Sequence, residues 1–151
     1  MEEIAKQDVV SCAEFCVPGE PMGKQRHRMG NGRAYTPAKT AHYETLVRMC
    51  WDISKPDTWS LDGQYHVQIE AKFAIPKSKP KQWKKNALAG KIYVTKRPDC
   101  DNIAKIILDG LNGLAFKDDA QVANLIVKKI YTPGPPCVRV KILDVSDKLD
   151  L

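Results

Sequence analysis

Five aspartates lie close together in the second half of the chain: Asp99, Asp101, Asp109, Asp118 and Asp119. Residues 97–119 also hold three basic residues and sum to −2, whereas the whole chain has a formal net charge of +6. Carboxylates gathered in this way repel one another and any polyanion, so a counterion must offset them. A hard divalent cation with oxygen ligands suits this purpose. The pattern indicates a metal site that can also attract a phosphate.

The first two aspartates precede a segment with helical periodicity. Apolar residues recur at intervals of three and four, namely Ile103, Ile106, Ile107, Leu111 and Leu114. This spacing predicts a helix over about residues 102–114 with one buried face. Pro98 disfavours helical geometry at Arg97, so Asp99 and Asp101 are expected in an extended stretch, projecting to the same side. The adjacent helix N-terminus lowers the cost of negative charge by roughly 0.3 to 1 kcal/mol per carboxylate.

The polar face of the predicted helix adds a lysine to the aspartates. Lys105 follows Asp101 by one turn and is within reach of whatever the carboxylates hold. Asp118 and Asp119 follow the helix, and a loop that folds back would return them to the same end of the sheet. Magnesium takes one or two carboxylates together with phosphate oxygens and water, so the first two aspartates and one of the later pair are the predicted ligands. Asp109, two turns along, is expected to be a surface residue and not a metal ligand; at most, it would support the ligands without contacting the metal.

Each of these residues also has an ordinary structural explanation. Asp101 could cap the helix, Lys105 could be an exposed i,i+4 partner, and residues 118–119 could form a solvated turn. Their joint occurrence favours the metal site over three unrelated explanations.

The rest of the chain predicts the scaffold. Strands are expected over residues 13–17, 65–75, 122–131 and 138–145, the last two as an antiparallel pair, and helices over residues 37–53 and from residue 80. The helix over residues 37–53 has Thr36 as its expected N-cap and Pro37 at its first position. The fold class is α/β of the α+β type, a small mixed sheet of about four strands with helices packed on it. A chain of 151 residues with 43% hydrophobic residues is expected to form one domain over residues 13–151, after a flexible lead over residues 1–12.

The composition of the chain limits the kinds of binding partner and cellular compartment that are expected. The segment 76–96 carries seven lysines and no acid, and the pI of about 9.1 favours a polyanion such as nucleic acid. The five cysteines form no Cys-x-x-Cys pair, which predicts reduced thiols in the cytoplasm and argues against a zinc site. No apolar run approaches the roughly 18 residues of a membrane span, so a soluble protein is expected.

Two stretches of this sequence resemble the signature of the RusA family of Holliday-junction resolvases. The first stretch runs from Arg97-Pro98-Asp99-Cys100-Asp101-Asn102 through Lys105 and Asp109 to Asp118-Asp119-Ala120-Gln121-Val122. The second stretch, Val17-Pro18-Gly19 followed by Gly23-Lys24, Arg26, Arg28 and Tyr35-Thr36-Pro37, is similar to the family's N-terminal strand and basic loop. The resemblance covers most of the chain after about Phe15.

The resemblance implies a homodimeric, magnesium-dependent endonuclease, bacterial or prophage-encoded, that cuts four-way DNA junctions by paired nicks. Asp99, Asp101 and Asp119 match the metal-binding carboxylates, with Asp118 as substitute or helper, and Lys105 matches the catalytic lysine. Manganese is a possible replacement for magnesium. The residues expected to hold DNA backbones are basic: Lys24, Arg26, Arg28, Lys84, Lys85 and Arg97.

Two departures from the family pattern affect these assignments. His27 stands where a proline commonly follows the first arginine of the basic loop, which bears on the shape of that loop. The loop over residues 113–117 is slightly short, which leaves the choice between Asp118 and Asp119 open. The alternatives to a resolvase are a non-catalytic or decayed branched-DNA-binding protein and a metal-dependent phosphohydrolase acting on small phosphates.

Overall fold

The computed structural model describes residues 11–25, 28–30, 32–35 and 37–146. Six strands are assigned within these ranges: β1 Ser11–Pro18, β2 Arg28–Gly30, β3 Arg33–Tyr35, β4 Tyr65–Ala74, β5 Val122–Thr132 and β6 Cys137–Asp144. Three α-helices are assigned: α1 Ala38–Ser54, α2 Lys81–Leu88 and α3 Cys100–Leu111. A 3-10 turn, Asp119–Gln121, leads directly into β5. No helix in the described part of the chain is long and apolar enough to cross a bilayer.

The main sheet has four strands in the order β1-β6-β4-β5 and is mixed. β6 runs antiparallel to both of its neighbours, whereas β4 and β5 are parallel. The predicted α+β fold with a small mixed sheet is therefore confirmed. The predicted pairing of β5 with β6 is wrong, because β4 lies between them. A turn of proline and glycine residues joins them along the chain, but it crosses over β4 instead of closing a hairpin.

The helices cover one face of the sheet. Buried and more exposed residues alternate along β4, with Tyr65, Val67 and Ile69 almost completely buried. This period of two puts every second side chain on the helix side. α1 contributes Val47 and Trp51 to the same core. α1 packs against α3 so closely that a Cβ at Gly110 would lie 3.0 Å from Val47 Cγ1.

The predicted apolar face of α3 is confirmed by burial. Ile103, Ile106, Ile107 and Leu111 are fully buried, and Leu114 packs against the core from the turn after the helix. The helix begins at Cys100, two residues earlier than expected. Its first two residues, Cys100 and Asp101, are solvent-exposed and add nothing to the apolar repeat, so periodicity could not reveal them. Asp101 consequently lies in the first helical turn instead of an extended stretch.

α3 ends at Leu111, three residues before its expected end, and the other boundaries differ from expectation by a residue or two. β1 begins at Ser11 and β4 ends at Ala74. α1 begins at Ala38, with Pro37 in the N-cap position instead of the first helical position. The expected cap residue Thr36 lies outside the described residues.

Candidate active site

Two carboxylates stand at the exposed N-terminus of α3. Asp99 occupies the N-cap position with an extended backbone, and Asp101 is the acidic residue of the first turn. Aspartate is among the best N-cap residues because its carboxylate can accept a backbone N–H, yet the Asp99 side chain makes no capping hydrogen bond. Neither carboxylate forms an ion pair within the described residues. Both oxygen groups are therefore available to a ligand.

An open groove of about 640 Å³ runs beside Asp99. Its lining comes from two segments of the chain: Pro21, Met22, Gly23, Lys24, Gln25, Arg97, Pro98, Asp99 and Asn102. The first segment is fastened to α3 by the Lys24 N–H, which donates to the Asn102 carbonyl at 2.9 Å. Gly23 permits this approach, because a Cβ there would lie 2.8 Å from Pro98 Cβ.

A network of four charged side chains extends from the groove residue Lys24 along α3. Lys24 Nζ contacts Glu44 Oε1 and lies 3.1 Å from Asp109 Oδ2. Lys105 Nζ lies 3.5 Å from the same Asp109 oxygen. The side chains of Lys24, Glu44 and Asp109 are 12, 15 and 20% exposed, whereas that of Lys105 is 60% exposed. Three members are thus mostly enclosed, and the Lys105 ammonium faces solvent.

The enclosed lysine remains charged. Burial by itself lowers the pKa of Lys24, but hydrogen bonds to Glu44 and then Asp109 outweigh it, so the pKa rises above the usual 10.5. The Lys24 ammonium is thereby committed to two carboxylates of its own chain. Its role in holding DNA stays a prediction, and these contacts leave the ammonium little freedom to reach a phosphate.

The later aspartates differ from each other in their contacts. Asp118 Oδ2 accepts the Ala120 N–H at 3.2 Å, and the Gln121 side chain accepts the Asp118 N–H in return. This reciprocal arrangement is a capping box for the 3-10 turn. Asp119, the next residue, forms no ion pair within the described ranges and is only partly exposed. Of the two, Asp119 has the carboxylate free for binding.

Asp119 does not lie at the same end of α3 as Asp99 and Asp101. The turn that contains Asp119 is tied to the entrance of β4, where the Gln121 amide donates to the Leu61 and Gly63 carbonyls. This is the C-terminal end of α3, and Asp101 stands ten residues before Leu111. At 1.5 Å per helical residue, that corresponds to about 15 Å.

The contacts of α3 with the edge strand agree with this distance. Cys100 Sγ lies 4.0 Å from the Val127 carbonyl, and Val127 is five residues beyond the start of β5 at Val122. That stretch of strand spans about 16 Å. The expected return of the loop to the first two aspartates is therefore not seen within one chain. Accordingly, no group of three or more His, Cys, Asp or Glu side chains among the described residues is arranged to hold a metal ion.

Two carboxylates nevertheless suit a magnesium ion. Magnesium is held by one or two carboxylates, with water and phosphate oxygens completing its octahedron. Asp99 and Asp101 offer oxygen donors without competing ion pairs, and Asp99 lines a groove open to solvent. The residues at the N-terminus of α3 fit a divalent cation on this chemistry, and Asp119 of the same chain does not join them.

The lysine-rich segment lies at the same end of the sheet as Asp99. It contains α2, whose Trp83 packs edge-on against Tyr131 near the end of β5. Lys96, at the segment's end, lies over the Phe73 ring near the end of β4. From there the chain continues directly into Arg97 and the groove. A positively charged surface therefore adjoins the two carboxylates.

The predicted DNA-contacting residues have different surroundings. Lys85 and Arg97 are exposed. Lys84 is half-buried, and its ammonium donates to the Lys77 carbonyl at 3.1 Å. Arg26 and the side chain of Arg28 lie outside the described residues.

Two residues of the charged network on α3 were not predicted from the sequence, one because it was missed and one because it was expected at the surface. Glu44 gave no signal, because it sits on α1 among residues typical of any amphipathic helix. Asp109 was expected to be a surface residue, yet it is the acceptor shared by two lysines. The i,i+4 spacing to Lys105 was readable from the sequence, whereas the contact with Lys24 joins residues that are distant in the chain and carried no local signal.

Comparison with known proteins identifies the class. The family described as endodeoxyribonuclease RusA matches residues 18–143. The chain is also 34% identical over 143 residues to the uncharacterized protein YqaN of Bacillus subtilis (strain 168), covering 91% of this chain and 99% of that one. The protein therefore belongs to the RusA endodeoxyribonuclease family, as the sequence resemblance indicated.

Proposed function

We propose that this protein is a magnesium-dependent endonuclease that resolves four-way DNA junctions by paired, symmetric nicks. Membership of an endodeoxyribonuclease family supports the nuclease activity. The observation that carries the site is the pair of unpartnered carboxylates at the N-terminus of α3, Asp99 and Asp101, of which Asp99 lines an open groove. Magnesium, or manganese in its place, is the proposed cofactor, and the proposed setting is bacterial or prophage DNA recombination and repair in the cytoplasm.

Asp99 and Asp101 would hold the cation, and the groove would admit the scissile phosphate. The bound cation would polarise that phosphate and lower the pKa of a coordinated water. Lys105, one turn along α3 from Asp101, has an exposed ammonium that can donate hydrogen bonds to the charge developing on phosphate oxygens. The helix N-terminus favours negative charge at the same place.

The basic surface would hold the junction arms. Lys84, Lys85 and Arg97 belong to or adjoin the lysine-rich segment next to the groove, and Arg26 and Arg28 are proposed for the basic loop. Lysine and arginine contacts with phosphates position a duplex without reading its sequence. Junction binding should therefore weaken steeply as salt concentration rises.

A homodimer would serve this function in two ways. Two symmetric nicks require two sites, which a C2 dimer provides. In addition, Asp101 lies in the first turn of α3 and Asp119 follows the opposite end of that helix. The helix between them is about 15 Å long, too long for the two residues of one chain to share a cation. We propose that Asp119 of a second copy approaches Asp99 and Asp101, which makes the site complete only in the dimer.

The first test is cleavage of a labelled synthetic four-way junction, with a linear duplex of the same sequence as control. Magnesium-dependent paired nicks in the junction, with the duplex spared, are expected. Asp101→Asn should bind the junction and leave it uncut. A junction that is retarded on a native gel but never cut would instead support the non-catalytic binding protein. Cleavage of a small phosphate ester alone would support the phosphohydrolase.

The second test asks whether two copies share one site. Asp101→Asn and Asp119→Asn are each expected to be inactive as homodimers. When the two variants are mixed and allowed to exchange subunits, one site of each heterodimer keeps both native aspartates, so nicking of one strand should return. If each site were built from one chain, both sites of the heterodimer would carry a substitution. An inactive heterodimer would therefore refute the shared site. The nuclease function is decided separately, by the first test.

A further inference from the structure

The exposed lysine of α3 stands between two aspartates and contacts one of them. Asp101, Lys105 and Asp109 follow one another at spacings of four residues, so the ammonium can turn toward either carboxylate. The ion pair formed is with Asp109 at 3.5 Å. No described residue forms an ion pair with Asp101.

Intrinsic helix energetics favour the opposite choice. An acidic residue four positions before a lysine is the better orientation for an i,i+4 pair, and the reverse order is weaker. Asp101 precedes Lys105, and Asp109 follows it. Something outside the helix must therefore make Asp109 the preferred partner.

The contacts of Asp109 with residues outside α3 explain this preference. Its carboxylate is only 20% exposed and is bound at 3.1 Å by Lys24, which is also held by Glu44 of α1. Lys24 is in turn fixed by its backbone bond to Asn102. Because the Asp109 carboxylate is already immobilised, it loses little side-chain entropy when it pairs with Lys105. The exposed Asp101 side chain is free to move and would lose its rotamer entropy on forming the same pair.

We infer that Asp109, anchored by Lys24 and Glu44, is a positioning residue that holds the Lys105 ammonium away from Asp101 and keeps the Asp101 carboxylate open to a divalent cation. The inference deepens the proposed function and rests on it for the role of the cation. It makes its own prediction about metal binding, which does not require that the protein cut DNA.

The test measures the affinity of the DNA-free protein for Mn²⁺. Electron paramagnetic resonance reports the concentration of free Mn²⁺ during the titration. Asp109→Asn releases Lys105 to pair with Asp101, so Mn²⁺ binding should weaken about two- to threefold, the effect of one competing exposed i,i+4 ion pair. Asp52→Asn is the matched control, because it removes the same charge from the exposed pair that Asp52 of α1 forms with Lys55, the residue after that helix. That control should bind Mn²⁺ as the wild type does.

A double variant separates positioning from simple loss of charge. In a Lys105→Ala background there is no ammonium to release, so adding Asp109→Asn should leave Mn²⁺ affinity unchanged. An equal loss of affinity in both backgrounds would show that Asp109 acts only through its charge and would overturn the inference. Thermal unfolding confirms that each variant is folded. Asp109→Asn keeps the Lys24–Glu44 pair, which preserves a partner for the enclosed lysine.

Lys105→Ala alone gives an independent result. Because the lysine is held away from Asp101, its removal should change Mn²⁺ affinity by less than about twofold. Several-fold tighter binding would mean that Lys105 rests on Asp101 and would refute the inference. Absence of Mn²⁺ binding by the wild-type protein would refute it as well. Junction cleavage, measured separately, decides the proposed function, so the two can fail independently.

Discussion

Gly23→Ala tests whether the groove depends on close contact between the Gly23 backbone and the start of α3. The added Cβ would lie 2.8 Å from Pro98 Cβ and 3.0 Å from Asn102 Cβ. Carbon atoms prefer separations of about 3.5 to 4.0 Å, so the segment must retreat by about 0.7 Å. Neither neighbouring atom is the far end of a flexible side chain, and the strain cannot be relieved by a rotamer change.

The expected energetic cost follows from this clash. Overpacking of this kind costs about 1 to 3 kcal/mol. If the segment moves instead, it loses the Lys24 N–H bond to the Asn102 carbonyl, which contributes about 0.5 to 1.5 kcal/mol. A fall of about 1 to 3 kcal/mol in the free energy of unfolding is therefore expected, with Tm lower by roughly 2 to 4 °C per kcal/mol.

Activity should fall with stability, since the displaced segment carries Lys24 away from Asp109. Misplacement by about 1 Å can reduce a rate on the order of a hundredfold. Urea unfolding and single-turnover junction cleavage measure the two effects. Gly134→Ala is the matched control, because the nearest atom to its added Cβ is Thr132 Oγ1 at 3.9 Å. If Gly23→Ala unfolds within about 0.5 kcal/mol of the wild type, as ordinary surface changes do, the close packing is refuted.

Three further changes have distinct expected outcomes. Asp118→Ala removes the capping carboxylate and should lower the free energy of unfolding by about 1 kcal/mol, whereas Asp119→Asn should abolish junction cleavage at unchanged stability. Equal losses of stability in the two variants would contradict a cap at Asp118 and a free carboxylate at Asp119. Lys24→Met should be destabilising at neutral pH. Because hydrogen bonds to Glu44 and Asp109 raise the pKa of Lys24 in the folded protein, the destabilisation should persist up to about pH 10.5 and shrink only above it; a difference that vanishes near neutral pH in urea unfolding would contradict this. Trp59→Phe should cost about 0.5 to 1.5 kcal/mol by thermal unfolding, because the indole N–H donates to the Ala115 carbonyl at 2.7 Å; an unchanged Tm would show that this bond contributes nothing.

Local periodicity accounts for what could be predicted about the scaffold. The alternation along β4 and the spacing of Ile103, Ile106 and Ile107 each report one element with one buried face, and burial of that face needs no knowledge of the partner. The same local reasoning missed the first two residues of α3. Both are solvent-exposed and add nothing to the apolar repeat.

The order of the strands could not be obtained in this way. β5 and β6 are both rich in β-branched residues and are joined by a short turn, which is typical of a hairpin. Their separation by β4 depends on which strands best bury one another's faces, a property of the whole sheet. Short-range sequence carries no direct record of that choice.

The sequence by itself determined the aspartates, the lysine on their helix, the basic surface and the family to which they belong, because residue type and spacing along one element are local properties. Only the tertiary structure decided which of these groups meet. It brought Lys24 and Glu44 to Asp109, separated Asp119 from Asp101 by the length of α3, and committed Asp118 to a cap. Contacts between distant residues arise from the packing of α1, α3 and the segment of residues 21–25 around one core, and no single stretch of sequence encodes that packing.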